Sequence, residues 1–356
     1  MRASSIFSSE TLDFASLRPH RAAVFALALA VWLAGLECGL RLAAPHIRHF
    51  YQADYPLRLG ERIFQLERMR RQDKPPGLLI LGDSTAEFGL VPHMLDDARD
   101  GCGGALCLAG PENARYLRRL VERLQSAFQA GQTRVVIGWT FLIFTGDAPL
   151  MRGFDQYLES FSLFRVMDDR ARWIDRLALW RYRHALRRMI EEGPPILQPS
   201  EWVMRQGGWR SLDGTFETTP DASRQRQLDA IRETVTHARS SQTAVSDLRT
   251  ALGRLKRAGC EVTVVLMPEH PDFDRMIPGA AEAWNNARKA AAALCDGQGA
   301  RFIDGTQAPG LRREHFADLV HLNGAGAKAF SQWLASQIPR PNADPGAPTN
   351  NRTDSN

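Results

Sequence analysis

Short apolar runs alternate with longer amphipathic stretches between residues 78 and 338. Apolar runs bounded by turn-forming residues predict buried strands, and stretches with apolar residues at helical spacing predict helices. Strands that alternate with helices are typical of a parallel sheet covered by helices on both faces. The predicted strands are 78–81, 105–108, 134–139, 261–267 and 300–303, and the predicted helices are 92–98, 113–130, 247–258, 280–295 and 326–337.

The longest apolar segment lies near the N-terminus. It is unbroken from residue 22 to 36 and, counted across Glu37 and Arg41, continues to residue 44. This is about the length that a bilayer-spanning helix needs, and Glu37 and Arg41, four apart, can pair near the membrane interface. The alternatives are a cleaved signal peptide and a buried helix of a soluble protein. We favour a signal anchor over residues 22–44, because the run is long for the apolar region of a signal peptide.

Basic residues on both sides of this segment bear on its orientation. Arg18 and Arg21 precede it, and basic flanks of an inner-membrane anchor stay on the cytoplasmic side. Residues 1–21 are therefore predicted to be cytoplasmic, and the domain that follows the anchor to be periplasmic. Arg41 and Arg48 follow the segment and weaken this orientation.

The remainder of the chain divides into three parts. Residues 45–77 are predicted to form a connector, whose charged, helix-prone part at 61–71 ends at two prolines. Residues 78–338 form the α/β domain, with a mostly helical insertion at 145–245. The tail at 339–356 is rich in Pro, Asn, Asp and Gly and is predicted to be disordered.

Two helices are predicted inside the insertion, at 168–192 and 222–240. The first is rich in Arg, Leu, Trp and Tyr. Such a helix can lie on a membrane surface, or it can cover the sheet with its apolar face. We favour the second interpretation.

Composition and charge argue against one class of function, nucleic-acid binding. The net charge is +5, and the arginines are spread along the chain with no zinc-ligand spacing and no aromatic–basic repeat, so nucleic acid is not an expected partner. The chain has five cysteines and no CxxC motif. Cys102 and Cys107 are close enough in sequence to bridge in an oxidising compartment, and the odd number leaves at least one free thiol.

The first candidate for chemistry is Ser84, which follows the predicted strand 78–81 in the sequence Gly82-Asp83-Ser84. Gly82 permits a sharp turn, and the end of a strand is where open α/β sheets bind ligands. Ser84 is then either a nucleophile or the cap of the next helix, in a Ser-x-x-Glu pattern with Glu87.

The second candidate is the pair Asp318 and His321, which precedes the last predicted helix. A hydroxyl nucleophile needs a base, and the base needs a group that fixes its tautomer. A surface ion pair near a helix start is the alternative for the pair alone.

Together, Gly-Asp-Ser after an early strand and Asp-x-x-His-Leu-Asn before a last helix resemble the SGNH (GDSL) hydrolase superfamily. The resemblance covers roughly residues 75–145 and 245–338. It implies a flavodoxin-like sheet, Ser84 as nucleophile, His321 as base and Asp318 as its orienting carboxylate. It also implies oxyanion donors at the N–H groups of Ser84 and Gly110, and no metal or other cofactor.

One block of the family pattern is missing. The family carries an Asn after the third strand, where this chain has Ile137-Gly138-Trp139-Thr140. Thr140 or Asn113 is a candidate substitute. Because one lost oxyanion donor costs roughly two to four kcal/mol of transition-state stabilisation, the departure favours a modified transferase or an inactive relative. Similar departures occur in membrane-anchored SGNH-like proteins that handle acyl groups of polysaccharides, as in alginate O-acetylation.

Three further residues are candidates for contacts with substrate. Asp83 belongs to the family motif without a required chemical role. His270 follows the fourth predicted strand and is either a second proton carrier or a loop histidine between prolines. Trp209 either stacks on a sugar ring or packs the insertion onto the domain. Glu87 is interpreted as a helix-cap acid.

The sequence thus predicts a membrane-anchored SGNH-like esterase or O-acyltransferase that acts through an acyl-serine on acyl groups of a cell-envelope glycan. Its expected partners are the acyl ester or glycan substrate, the inner membrane and a membrane acyl-donor protein. The alternative is a non-catalytic SGNH-fold protein that binds glycan or an assembly partner, and a soluble-ester esterase of the periplasm is a third possibility.

Overall fold

The computed structural model describes residues 19–48, 50, 59–74, 76–96, 104–109, 114–125, 128, 133–144, 177–192, 201–236 and 241–338. Its centre is a sheet of five parallel strands in the order β2-β1-β3-β4-β5. This is the flavodoxin-like order, so the predicted fold class is confirmed. The strands are β1 (Leu78–Gly82), β2 (Ala105–Cys107), β3 (Arg134–Trp139), β4 (Glu261–Leu266) and β5 (Arg301–Asp304).

Thirteen α-helices accompany these strands in the described part of the chain. They are α1 (Pro19–Ala43), α2 (Leu59–Arg71), α3 (Ser84–Gly89), α4 (Pro92–Asp96), α5 (Ala114–Leu124), α6 (Ala178–Arg181), α7 (Arg183–Glu192), α8 (Glu201–Gln206), α9 (Asp221–Thr236), α10 (Gln242–Arg257), α11 (Phe273–Met276), α12 (Ala280–Gln298) and α13 (Gly324–Gln337). Helix α10 begins earlier than predicted because the Ser241 hydroxyl accepts a hydrogen bond from Ala244 N–H and caps it. Helix α12 continues to Gln298 and ends at Gly299, which adopts a left-handed φ of 62°.

The sheet has a hydrophobic core on each face, because successive side chains of a strand point to opposite sides. Leu79 and Leu81 of β1 lie in the core that α2, α5, α10 and α12 cover, and Leu78 and Ile80 lie in the core covered by α3, α4 and α13. Helix α2 buries Ile63, Phe64 and Leu66 in the first of these cores. The packed domain therefore includes a helix that the sequence assigned to the connector.

Helix α1 stands apart from both cores. Its segment His20–Ala43 is long and apolar enough to cross a bilayer, and only 6% of its most apolar window is buried inside the structure. The predictions for residues 1–18 and 339–356 lie outside the described residues.

The preference for a sheet-covering helix at 168–192 was wrong for the part that the structure describes. Ala178 and Ala185 pack with Leu40, Ala44 and Phe50 in a separate cluster at the end of α1. We call these five residues the N-terminal cluster. The apolar face of α6 and α7 is therefore covered by α1 and the segment that follows it, not by the sheet.

The bridge that the spacing of Cys102 and Cys107 allows is not formed at Cys107 in this structure. Cys107 is a free thiol buried in β2, and Cys102 lies outside the described residues. Burial raises the pKa of the Cys107 thiol to about 11, so it is not a nucleophile at neutral pH.

Candidate active site

A sharp turn at the end of β1 presents Ser84. Gly82 has a φ of 125°, and a Cβ there would overlap the carbonyl oxygen of Gly138 in β3. Asp83 then caps α3, because its Oδ1 accepts a hydrogen bond of 2.9 Å from Thr85 N–H. Ser84 is the first residue of α3 and not its cap, so the capping interpretation of Ser84 was wrong.

Ser84, His321 and Asp318 form a continuous hydrogen-bonded chain. The Ser84 hydroxyl oxygen lies 2.6 Å from His321 Nε2, and His321 Nδ1 lies 2.7 Å from Asp318 Oδ2. The other carboxylate oxygen, Oδ1, accepts hydrogen bonds from the backbone N–H groups of Val320 (2.9 Å) and His321 (2.8 Å). The order and the spacing are those of a nucleophile, a base and an orienting carboxylate.

The electrostatics of this chain suit a base at Nε2. Burial acts to raise the pKa of Asp318, but the nearby His321 and the hydrogen bonds to the carboxylate outweigh it and hold the pKa below its ordinary value. An ionised Asp318 accepts the Nδ1 proton and leaves Nε2 with a lone pair directed at Ser84. The Phe88 ring packs nearly perpendicular to the imidazole, with 5.4 Å between the two ring centroids, and also restricts the orientation of the imidazole.

Asp83 joins β1 to the end of β3 through Thr140. Its Oδ2 accepts hydrogen bonds from Thr140 N–H (3.0 Å) and the Thr140 hydroxyl (3.1 Å), and its Oδ1 accepts from the Thr85 hydroxyl (2.5 Å). Burial raises the pKa of Asp83, while these hydrogen bonds and the nearby His321 act in the opposite direction. Because both donors of Thr140 are directed at Asp83 and the residue is fully buried, we do not retain Thr140 as an oxyanion donor.

Of the remaining oxyanion candidates, only Ser84 lies among the described residues. Ser84 N–H belongs to the described site, at the first position of α3. Gly110 and Asn113 lie outside the described residues, so their roles stay predictions. The last described residue before them is Ala109, whose carbonyl oxygen accepts a hydrogen bond of 2.9 Å from Arg62 Nη1.

A buried ion pair between α2 and α3 was missed by the sequence analysis. Arg62 of α2 is fully buried, and its Nη2 lies 2.5 Å from Glu87 Oε1 in α3. Arg210 Nη1 lies 3.6 Å from the same oxygen. Glu87 is therefore an ion-pair partner, and its interpretation as a helix-cap acid was wrong. The available signal was an arginine beside Ile63 on the apolar face of α2.

The structure buries both His270 and Trp209, and His270 is part of a cavity wall. His270 is 1% exposed, its Nδ1 accepts a hydrogen bond from Asp272 N–H (3.1 Å), and its Nε2 lies 3.4 Å from Glu217. Burial lowers the pKa of His270. Trp209 is buried and donates from Nε1 to the Phe88 carbonyl at 2.9 Å, which fixes the insertion to α3.

A cavity of about 260 Å³ lies beside the loop that carries Asp318 and His321, and neither these residues nor Ser84 line it. Glu269 is part of its wall, and burial together with the charge of Asp274 raises the pKa of Glu269 to about 9. The loop is connected to this wall by a hydrogen bond from His270 N–H to the Leu319 carbonyl (3.0 Å). Among the described residues, no group of three or more His, Cys, Asp or Glu side chains is arranged to hold a metal ion.

No protein-family model and no curated protein matches this chain. Solved structures with a similar fold include two carbohydrate acetylesterases from Sinorhizobium meliloti and an inhibitor-bound aryl esterase from M. smegmatis. The first acetylesterase is 12% identical, with 74% of this chain and 97% of that chain covered and a TM-score of 0.33. The second is 14% identical (73% and 96% covered, TM-score 0.33), and the aryl esterase is 12% identical (73% and 96% covered, TM-score 0.34). Because these identities and TM-scores are low, we base no functional conclusion on them.

Proposed function

We propose that this chain is a serine ester enzyme of SGNH type, and the observation that carries the proposal is the Ser84–His321–Asp318 chain of hydrogen bonds. His321 Nε2 takes the hydroxyl proton as Ser84 attacks the ester carbonyl, and Asp318 stabilises the imidazolium that results. The imidazolium then protonates the leaving alcohol, which departs as the acyl-serine forms. His321 next activates water or an acceptor hydroxyl, which takes the acyl group and regenerates Ser84.

The substrate class in this proposal is an acyl ester on a glycan of the cell envelope. Its support is the apolar helix α1, which is long and apolar enough to cross a bilayer once and which we take as an inner-membrane anchor in this proposal. With the N-terminus in the cytoplasm, the α/β domain works in the periplasm, where a membrane acyl-donor protein supplies the acyl group if the reaction is a transfer. Alkaline phosphatase fused after residue 58 tests the orientation and should be active. An inactive fusion would indicate the opposite orientation, with the domain in the cytoplasm.

A second candidate function is that of a glycan-binding or assembly protein without catalysis. The observation that favours it is the position after β3, where Thr140 is directed at Asp83 and no amide side chain is present. Loss of one oxyanion donor costs roughly two to four kcal/mol, or about 10²–10³-fold in rate. A triad without enough donors would retain binding and lose turnover.

Turnover by the full chain in detergent separates these functions. We expect hydrolysis of p-nitrophenyl acetate and loss of this activity in Ser84→Ala, while Ser336→Ala, a change at an exposed serine of α13, leaves it unchanged. Adding an O-acetylated oligosaccharide or an acceptor sugar then shows whether the acetyl group goes to water or to a hydroxyl. Absence of turnover in the wild-type chain would favour the binding protein.

A further inference from the structure

Helices α6 and α7 are attached to the end of the apolar helix α1. Ala178 and Ala185 belong to the N-terminal cluster. The centroid of the Tyr182 ring lies 4.7 Å from the centroid of the Phe50 ring. The side chains of Leu179, Leu186 and Met189 pack against the same cluster. One face of this helix pair is thereby buried on α1 and on the segment that follows it.

A carboxylate of α1 fixes the start of α6. Glu37 accepts hydrogen bonds from the backbone N–H groups of Ala178 (2.7 Å) and Leu179 (3.0 Å), and it pairs with Arg41 at 2.7 Å. Glu37 lies six residues before Ala43, the last residue of α1, so the contact is about 9 Å below the helix end at 1.5 Å per residue. If α1 spans a bilayer, α6 begins at the boundary between headgroups and acyl chains.

The opposite face of the helix pair combines exposed apolar and basic side chains. Ile190 is 85% exposed and Trp180 38% exposed, and Arg183 places its guanidinium 4.1 Å above the Trp180 ring. Arg187 is also exposed and pairs with Glu191 at 2.7 Å. Tryptophan is enriched at the headgroup level of membranes, and arginine binds anionic phosphates there.

We propose that α6 and α7 lie in the outer interface of an anionic phospholipid bilayer, beside α1, as a second membrane contact. Ile190 and Trp180 enter the headgroup region, and Arg183 and Arg187 contact lipid phosphates. The occupant is a bilayer rather than a protein, because the surface continues directly from the apolar helix and meets it at the depth where an interfacial helix lies. This inference rests on the proposed function in one respect, namely that α1 spans the membrane.

The contact would also limit the distance between the α/β domain and the membrane surface. A single helix followed by a connector leaves a domain free to move away from the membrane. The Glu37 hydrogen bonds and the N-terminal cluster join α6 and α7 to α1, so a surface contact of this helix pair would hold the chain at the membrane at a second point. The ester substrate would then be one presented close to the lipid headgroups.

The test places an environment-sensitive fluorophore on one introduced, exposed cysteine of the full chain, reconstituted in vesicles of phosphatidylethanolamine and phosphatidylglycerol. Cys38→Ser and Cys102→Ser provide the background, in which the remaining Cys107, Cys260 and Cys295 are buried. The labelled positions are Ile190→Cys, Val31→Cys in the middle of α1, and Glu282→Cys on the exposed face of α12. Brominated lipid reports contact with the bilayer, and iodide reports contact with water.

We expect brominated lipid to quench the label at 190 and at 31 but not at 282, and iodide to quench only 282. A label at 190 that iodide quenches as freely as 282, while 31 stays lipid-exposed, would overturn this inference and leave the anchor intact. A label at 190 protected from both quenchers would identify a protein cover, such as a second copy, and would also overturn it. Exposure of position 31 to iodide would instead remove the anchor itself, and this inference with it.

The dependence of the membrane contact on the arginine charges provides a second test. Arg183→Glu combined with Arg187→Glu should raise iodide quenching at position 190 several-fold in these vesicles, because the reversed charges repel phosphatidylglycerol. The same reversal at exposed arginines of α9 and α10, Arg226→Glu with Arg249→Glu, should leave it unchanged. Equal effects of the two double variants would contradict a headgroup contact through α7.

Discussion

The hydroxyl oxygen of Ser84 lies 2.6 Å from Nε2 of His321, although 237 positions separate the two residues in the chain. They meet because β1 ends beside the point where the strand order reverses, and the loop before α13 returns to the same edge of the sheet. Open α/β sheets bind their ligands at such a switch point. The predictions below follow from this arrangement and from the contacts that support it.

Asp318→Asn should lower kcat for p-nitrophenyl acetate by about 10³–10⁴-fold, because an amide does not hold the imidazole in the tautomer that leaves Nε2 unprotonated. Steady-state kinetics measures the effect. The matched control is Asp272→Asn, which removes a carboxylate that pairs with Arg313 outside the triad. Near-normal turnover in Asp318→Asn would contradict the orienting role.

Glu269→Gln should change the pH dependence of stability. Burial raises the pKa of Glu269 to about 9 in the folded chain, whereas an unfolded glutamate titrates near 4.3. Between these values the folded state holds a proton that the unfolded state releases, so the wild-type loses stability as the pH rises. In thermal melting, the melting temperature of the variant relative to that of the wild-type should rise from pH 5 to pH 8. Glu282→Gln, at an exposed position, is the control, and a constant difference across this range would refute the prediction.

Arg62→Met should lower the free energy of unfolding by about 3–5 kcal/mol, because Glu87 keeps a buried charge without its closest partner. The double variant Arg62→Met with Glu87→Leu should recover most of this loss. Its kcat should still be reduced, because the Ala109 carbonyl has lost the Arg62 donor next to the predicted oxyanion residue Gly110.

Chemical denaturation and kinetics of both variants measure these effects. Arg70→Met is the control. Arg70 belongs to the same helix, and its side chain is exposed to solvent where it pairs with Glu67. Ion pairs with an exposed partner contribute about 1 kcal/mol or less to stability. A double variant with normal stability and normal kcat would show that Arg62 does not position the site.

Gly138→Ala should destabilise the chain by about 1–3 kcal/mol and reduce turnover, because overpacking displaces neighbouring groups. A Cβ at this position of β3 would lie 2.6 Å from the Cβ of Ala86 in α3 and 2.9 Å from the sulfur of Met267. Gly297→Ala is the control, since a Cβ at that helical position meets no atom within 4 Å beyond its chain neighbours and the backbone of its own helix. Equal stability of the two variants would argue against the close approach of β3 and α3.

Much of the fold and of the candidate site follows from local sequence signals. Buried parallel strands are continuous apolar runs, so β1 and β3 were predicted within one residue of their observed ends. Ser84, Asp318 and His321 stand in short motifs at the ends of predicted strands and helices. The structure brings those three residues together as expected.

The contacts that were missed are long-range pairings. Arg62 and Glu87 lie in different helices, and no local pattern states that one will neutralise the other. The amphipathic pattern around Ala185 predicts a buried face but not the surface that covers it, which proved to be the end of α1. Thr140 was one of two candidate substitutes for the missing oxyanion donor, because the sequence around it does not show its pairing with Asp83, 57 positions earlier.

The proposed function requires Ser84 to be a nucleophile activated by His321. A fluorophosphonate applied to the full chain, with the adduct located by peptide mass spectrometry, reports on this activation. We expect one adduct, on Ser84, and its loss in a folded His321→Ala variant. A wild-type chain that remains unlabelled at Ser84, or a His321→Ala variant that labels as fast as the wild-type, would contradict it.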